Sequence, residues 1–215
     1  MDYKYYIGID EVGRGPIAGP VTVCALLSKI GRAPEDFKTI KDSKKLTEKG
    51  REKWFMKIKE ISMREQYKYK EIGEGESAFN YAVISVSNKV IDKIGIVRAL
   101  NLCVKKCLDK FNLDTPCPSG LLMRDETCIL LDGSLYAPKE FKYQETIIKG
   151  DEKESLIAMA SIVAKVSRDW YMVNQVAKDF PQYGFENHKG YGTKAHYAAI
   201  KEHGLCELHR RTFLK

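Results

Sequence analysis

The segment that most constrains the fold is Tyr5–Val23, which reads YYIGIDEVGRGPIAGPVTV. Its apolar start ends in two adjacent acids, Asp10 and Glu11, and a glycine-rich turn follows at Gly13–Pro16, before a second apolar run begins at Val21. Acids at the end of a buried strand, beside backbone that glycine adopts most readily, favour a metal or phosphate site. A hairpin with acidic residues near its turn explains the same letters, and this segment alone leaves both interpretations open.

Two later segments repeat the arrangement of an apolar strand followed by an acid. Cys128–Asp132 (CILLD) ends in an acid, and Tyr143–Lys149 is followed by Gly150 and Asp151. The carboxyl edge of the strands is where open α/β sheets build their sites, so we expect these acids to meet there. The predicted cluster comprises Asp10, Glu11, Asp132 and Asp151.

Four carboxylates at one place repel one another unless cations lie among them. Mg²⁺ and Mn²⁺ prefer such oxygen ligands, and two of these ions can hold the attacking and leaving oxygens of a phosphodiester. Asp169 is expected outside the cluster, because it follows Asp151 by 18 residues along a predicted helix, which is roughly 27 Å. The acids together therefore favour cleavage of nucleic acid over a purely structural role.

Charge and composition fit that hypothesis without proving it. The 215 residues include 36 Lys and Arg against 29 Asp and Glu, a net charge of +7, which is compatible with a polyanionic partner. The basic residues concentrate at Lys38–Lys59, Lys139–Lys153 and Lys189–Lys215. We expect one domain over residues 1–215, with a C-terminal helical segment from about 180. Without a signal-peptide pattern or a long apolar run, we expect a cytoplasmic protein. We separately expect a monomer.

Apolar residues at helical spacing predict several helices. The first helix begins after Thr47, which is its predicted cap, and the second covers Ile96–Phe111, with Asp92 as its cap. The third runs from about Ser155 to Lys178. The fourth covers Lys194–Glu202, between Thr193 and Gly204. The long helix from Ser155 has a core face rich in Ala and Ser, so a neighbour can pack close to it. Alternation predicts a strand at Arg64–Ile72, whereas Ser77–Val90 is compatible with helix or strand.

The six cysteines show no C-x-x-C pair. A zinc site built from Cys103, Cys107, Cys117 and Cys128 is one interpretation, but the spacing matches no known zinc pattern. Buried thiols in a reducing compartment are the interpretation that we favour.

Five blocks resemble the ribonuclease HII family, the type 2 ribonucleases H. They occur in the family's order over nearly the whole chain, and the first and last are highly specific. The blocks are GIDEVGRGPIAGPV (Gly8–Val21), DSKKL (Asp42–Leu46), LLDG (Leu130–Gly133), KGDEKESLIAMASIVAKVSRD (Lys149–Asp169) and HKGYGTKAHYAAIKEHG…HRRTF (His188–Phe213). The resemblance implies an α/β fold of the ribonuclease H-like class, with a mixed sheet flanked by helices.

The resemblance also implies roles for residues. The metal-site residues would be the four acids already singled out: Asp10, Glu11, Asp132 and Asp151. Gly13, Arg14 and Gly15 would read the ribonucleotide 2′-OH, and Tyr191 would pack on the neighbouring deoxyribose, which agrees with how RNA is distinguished from DNA. From their charge, we predict phosphate contacts for Arg14 and for Lys44, Lys45 and Lys189. Structural roles are favoured for His188, His196 and His209.

The implied activity is endonucleolytic hydrolysis of RNA in RNA–DNA hybrids and of single ribonucleotides embedded in duplex DNA, as in ribonucleotide and primer removal. Cleavage would fall 5′ of the ribonucleotide and leave 3′-OH and 5′-phosphate ends, with Mg²⁺ or Mn²⁺, two ions in the active complex, as cofactor. The tail ends at Lys215 without a recognisable sliding-clamp motif. A non-catalytic hybrid-binding protein and a different metal nuclease on the same fold are the alternatives. The presence of all four acids argues against the first.

Overall fold

Five strands form one mixed sheet in the computed structural model, which describes residues 3–29, 37, 40, 46–72, 79–114 and 123–214, with the backbone alone for 65–72. The strands are β1 (Tyr5–Val12), β2 (Val21–Ser28), β3 (Phe79–Val86), β4 (Thr127–Asp132) and β5 (Gln144–Ile147). Their order is β3-β2-β1-β4-β5. β2 runs antiparallel to β1 and β3, whereas β4 runs parallel to β1 and β5. The carboxyl ends of β1, β4 and β5 therefore lie at one edge, as predicted.

Helices flank this sheet, which confirms the predicted α/β class. They are α1 (Glu48–Ile72), α2 (Asn88–Ile94), α3 (Ile96–Asp109), α4 (Gly150–Lys153), α5 (Ser155–Tyr171), α6 (Ala177–Asp179), α7 (Phe185–His188) and α8 (Lys194–His203). A π-helical segment, Met172–Val176, joins α5 to α6, so the predicted long helix is present with one wider turn. Thr193 Oγ1 accepts a hydrogen bond from the His196 amide at 3.2 Å, which confirms the predicted cap of α8.

β1 is buried on both faces, which explains its unbroken apolar run. Tyr5, Ile7 and Ile9 face the core that includes α3, whereas Tyr6 faces the core that includes α5 and α1. Gly8 also faces α5, and a Cβ added there would lie 2.4 Å from the backbone carbon of Leu156. The absence of a side chain at Gly8 thus lets α5 lie directly against the centre of the sheet.

Gly8→Ala should therefore destabilise the protein by about 3 kcal/mol, because the new methyl group meets helix backbone rather than a side chain that can move. Chemical denaturation of the two proteins measures this difference. Gly15→Ala is the matched control, because a Cβ at Gly15 meets no atom of the described part of the chain within 4 Å. Equal unfolding midpoints for Gly8→Ala and Gly15→Ala would contradict this packing.

Two predictions of local structure were wrong. Arg64–Ile72 is not a strand but the last part of α1. Its Lys, Glu and Gln residues are good helix formers, and extending an existing helix costs less than starting a new element. Asp92 does not cap α3, which Gly95 precedes with φ 81°. Instead, Asp92 accepts hydrogen bonds from the amides of Arg211 and Thr212, at 2.9 and 3.1 Å, and so fixes the C-terminal segment.

Other local predictions were confirmed or settled. Thr47 Oγ1 accepts a hydrogen bond from the Gly50 amide at 3.1 Å, which fits the predicted helix start. The ambiguous segment Ser77–Val90 contains β3, followed by the start of α2. Among the helices in the described ranges, none is long and apolar enough to cross a membrane.

Candidate active site

Three of the four predicted acids meet at the carboxyl edge of the sheet. In the parallel β1–β4 pair, Ile9 lies opposite Leu131, so Asp10 and Asp132 follow at adjacent positions. One carboxylate oxygen from each of Asp10, Glu11 and Asp132 lies within 4.8 Å of the other two. The strand register alone is therefore enough to assemble this acidic group.

The electrostatics of this group are those of a cation site. Burial, followed by the charge of Glu11, raises the pKa of Asp10 well above its ordinary value. Burial also raises the pKa of Glu11, although Arg14 opposes the effect. Ionised Asp10 is stabilised in turn by Ser161 and by the Glu11 amide, whose nitrogen lies 2.7 Å from Asp10 Oδ1. Three carboxylates this close ionise together readily only when a cation neutralises them.

Asp151 lies beside this group but not within it. It is buried in the first turn of α4, with 1% of its surface exposed. The amide of the preceding Gly150 donates to Asp132 Oδ1 at 2.6 Å, which ties α4 to the end of β4. Its carboxylate is not part of the set of ligand atoms that lie mutually within 4.8 Å.

The glycine turn contains two glycines with different physical explanations. Gly13 has φ 87°, and a Cβ there would lie 2.4 Å from Nε of Arg168, so the fold itself requires glycine. Gly15 has no such constraint among the described residues, because a Cβ would meet none of their atoms within 4 Å. Gly15 lines the cavity above the acids, so a ligand that approaches its backbone would explain glycine at this position.

Two buried arginines hold the turn in place. Arg168 on α5 and Arg210 near the C-terminus expose 1% and 0% of their surface. Burial, followed by the charge of Arg168, lowers the pKa of Arg210 to about 9, so Arg210 stays charged at neutral pH. Arg168 donates to the carbonyl oxygens of Ala18, Pro20 and Lys189, at 3.3, 2.9 and 3.0 Å. Arg210 donates to the carbonyl oxygens of Gly13, Arg14 and Gly19, at 2.7, 3.1 and 2.9 Å.

A cavity of about 500 Å³ joins the predicted parts of the site. The three clustered acids, the glycine turn and Tyr191 all line it. Tyr191 lies between α7 and α8 with 41% of its surface exposed. The structure thus brings residues from the two ends of the chain, Asp10 and Tyr191, to one opening.

Among the described residues, three further polar residues line this cavity that were not predicted as site residues: Arg51, Ser161 and Lys165. Lys165 Nζ lies 5.9 Å from the Tyr191 ring centroid and 3.0 Å from the carboxylate of Asp169. That ion pair agrees with the expectation that Asp169 lies outside the cluster. A sequence signal existed, because the polar residues Ser161, Lys165 and Arg168 are spaced so that they fall on one face of α5.

The predicted phosphate-binding residues differ in their positions relative to the cavity. Arg14 lines the cavity, and its Nη1 donates to Ser134 Oγ at 2.8 Å. Lys189 does not line it, and its Nζ donates to the Glu186 carbonyl at 2.8 Å. Lys44 and Lys45 lie outside the described residues. Phosphate contact by all four stays a prediction.

The described cysteines are not part of the acidic group. Cys103, Cys107 and Cys128 are buried thiols, as we favoured, whereas Cys117 lies outside the described residues. The possible metal-binding group found among the described side chains is the acidic one. His196 and His209 are buried and hydrogen-bonded, which agrees with the structural roles favoured for them.

A mixed sheet in this strand order, with helices on both faces, defines a ribonuclease H-like α/β protein. The ribonuclease HII family model matches residues 7–116 and 120–215. The chain belongs to the ribonuclease HII family, as the sequence resemblance indicated.

Individual relatives agree. The ribonuclease HII of Caldicellulosiruptor bescii is 39% identical over 213 residues, which cover 99% of this chain and 88% of the relative. That of Endomicrobium trichonymphae is 42% identical over 207 residues, which cover 96% and 83%. The crystal structure of ribonuclease H2 from Pyrococcus horikoshii OT3 is 26% identical, with a TM-score of 0.62 over 97% of this chain and 93% of that one.

Membership of this family makes the protein an enzyme, a ribonuclease H that hydrolyses nucleic acid endonucleolytically. The family acts on RNA–DNA substrates and uses divalent metal ions. The acidic group formed by Asp10, Glu11 and Asp132 fits that requirement.

Proposed function

We propose that this enzyme cuts the RNA strand of RNA–DNA hybrids and also cuts 5′ of a single ribonucleotide embedded in duplex DNA, leaving 3′-OH and 5′-phosphate ends. The observation that carries the proposal is the shared cavity, which places three clustered acids, the open backbone at Gly15 and the exposed ring of Tyr191 side by side. A hydrolytic centre thus adjoins groups suited to recognising a ribose.

The acids would hold the metal. Asp10, Glu11 and Asp132 offer only oxygen ligands, and burial and mutual repulsion disfavour their joint ionisation without a cation, so the donor set fits Mg²⁺ or Mn²⁺. Asp151 is the fourth proposed ligand. When bound, two such ions would supply Lewis-acid stabilisation of the phosphate and make water a stronger nucleophile.

The chain's own residues would choose and hold the substrate. The backbone of Gly13, Arg14 and Gly15 would contact the 2′-OH, the group that separates RNA from DNA locally. Tyr191 would pack against the neighbouring deoxyribose, with its hydroxyl free to form a hydrogen bond. Arg14, Lys44, Lys45 and Lys189 would contact phosphates and so position the duplex without reading its sequence.

A substrate panel tests this function. Three duplexes of one sequence are compared in Mg²⁺ and in Mn²⁺: an RNA–DNA hybrid, a DNA duplex with one ribonucleotide, and an all-DNA duplex. We expect cleavage of the first two and none of the third. Cleavage of the all-DNA duplex at a comparable rate would contradict the proposed recognition of ribose, and failure to cut the single ribonucleotide would restrict the enzyme to hybrids.

A further inference from the structure

A chain of three hydrogen bonds links the backbone of Tyr191 to the backbone of Cys206 through two buried histidines. His196 Nδ1 lies 2.9 Å from the Tyr191 carbonyl oxygen, and His196 Nε2 lies 3.1 Å from His209 Nε2. His209 Nδ1 lies 3.0 Å from the amide nitrogen of Cys206. Both imidazoles are buried, with 0% and 1% of their surface exposed.

The Tyr191 end of this chain fixes the positions of its protons. A carbonyl oxygen only accepts, so His196 must donate from Nδ1 to Tyr191, which leaves its Nε2 as an acceptor. His209 Nε2 must then carry the proton that is donated to His196, which leaves His209 Nδ1 as an acceptor for the Cys206 amide. His209 Nδ1 also lies 3.2 Å from Cys206 Sγ and 3.3 Å from the Cys206 carbonyl oxygen. The opposite pair of tautomers would set a lone pair against the Tyr191 carbonyl.

Both rings are also held in their neutral form. Burial lowers the pKa of His196 to about 4 and lowers that of His209 as well. Protonating His196 would set its Nε2–H against the N–H that His209 Nε2 donates. The two histidines therefore form a polar connection with a single direction, from the Cys206 amide to the Tyr191 carbonyl.

The other side of the Tyr191 loop is tied to the glycine turn. The amides of Ile17 and Ala18 donate to the Gly190 carbonyl at 2.9 and 3.2 Å, and Arg168 donates to the Lys189 carbonyl at 3.0 Å. The bonds to the Lys189 and Gly190 carbonyls therefore hold the loop just before Tyr191, and the bond from His196 holds it at Tyr191. The Tyr191 carbonyl itself accepts two hydrogen bonds, one from His196 Nδ1 and one from the Thr193 amide, each at 2.9 Å.

We infer that His196 and His209 are positioning residues, which act through the Tyr191 carbonyl to hold the Tyr191 ring where it meets substrate. The inference rests on the role proposed above for Tyr191. It concerns neither metal nor chemistry, since the histidines do not line the cavity.

Asn and Leu at position 196 separate positioning from packing. Their side chains have nearly the same shape, but only Asn presents an N–H near the place of His196 Nδ1. If the site merely needs filling, buried Leu should serve at least as well as Asn. If the donor to Tyr191 matters, His196→Leu should cut the single-ribonucleotide duplex about tenfold less efficiently than His196→Asn, the scale of one buried hydrogen bond.

Tyr191→Ala supplies the second comparison. Adding His196→Leu to Tyr191→Ala should cause no further loss of cleavage, because the ring that His196 positions is already absent. His203→Asn and His203→Leu, at an exposed position, are the matched controls and should be equal in activity. Should His196→Leu fail to fold, His209→Gln, which keeps an N–H near Nε2, is compared with His209→Leu in the same way.

The outcomes are distinct. Equal activity of His196→Asn and His196→Leu, or losses from His196→Leu and Tyr191→Ala that multiply, would overturn the positioning role while leaving the proposed function intact. Wild-type activity in Tyr191→Ala would also overturn it. Failure of the wild-type protein to cut the single-ribonucleotide duplex would instead refute that part of the proposed function.

Discussion

Replacing Asp132 with asparagine should lower metal-dependent cleavage of a ribonucleotide-containing duplex by on the order of 10³-fold, which corresponds to about 4 kcal/mol of lost transition-state stabilisation. Asparagine keeps an oxygen that can accept the Gly150 amide, so the link between β4 and α4 survives. It removes one negative charge from a group of three carboxylates that lie within 4.8 Å of one another. Single-turnover rates with saturating Mg²⁺ measure the loss.

Stability should move in the opposite direction. Removing a charge from a repelling cluster stabilises the metal-free fold, so Asp132→Asn should unfold at the same temperature as the parent protein or higher. Asp109→Asn is the control, because Asp109 is an exposed residue on α3 whose visible partner is Lys105. If Asp132→Asn retained activity comparable to that of Asp109→Asn, Asp132 would not be a metal ligand.

Replacing Arg210 with lysine should destabilise the protein by about 2–4 kcal/mol, although the charge is retained. The guanidinium reaches three carbonyl oxygens from one buried position, those of Gly13, Arg14 and Gly19. Lysine has a single ammonium group without this fork geometry, so at least one buried carbonyl loses its donor. Cleavage should fall as well, since two of these carbonyls belong to the turn beside the acids.

Arg211→Lys is the matched control for this change. Arg211 is the next residue, but its side chain is exposed, and such a substitution usually stays within about 0.5 kcal/mol. Chemical denaturation of the two variants gives the comparison. Equal unfolding free energies would mean that Arg210 does not hold the glycine turn.

The acidic site was predictable because it depends on strand ends. Asp10 and Asp132 each follow an apolar run that period and length mark as a strand, and parallel strands end at a common edge. The position of Asp151 outside the group of three acids was not predictable, because Asp151 lies in a short helix, α4. The position of α4 depends on the hydrogen bond from the Gly150 amide to Asp132. The turn was predicted to use backbone that favours glycine, and Gly13 has φ 87°. The close contact with Arg168, which also requires glycine there, involves a residue 155 positions away in the chain.

The buried arginines and histidines show where one-dimensional patterns fail. Arg210 and Arg211 are adjacent residues of the same type, but the fold buries Arg210 and leaves Arg211 exposed. His196 sits near the start of a polar helix, where nothing local indicates that its two ring nitrogens connect a loop to the C-terminal segment. By contrast, Ser161 and Lys165 are polar residues four positions apart, which places them on one face of α5, and both line the cavity.

Mapping the cleavage products of a DNA duplex with one ribonucleotide tests the central claim most directly. With Mg²⁺ or Mn²⁺ present, we predict one cut, 5′ of the ribonucleotide, that yields a 3′-OH on the upstream DNA and a 5′-phosphate on the ribonucleotide, and no cut in the presence of a chelator. A cut on the 3′ side that leaves a 2′,3′-cyclic phosphate would contradict this account, because the 2′-OH rather than water would then be the nucleophile.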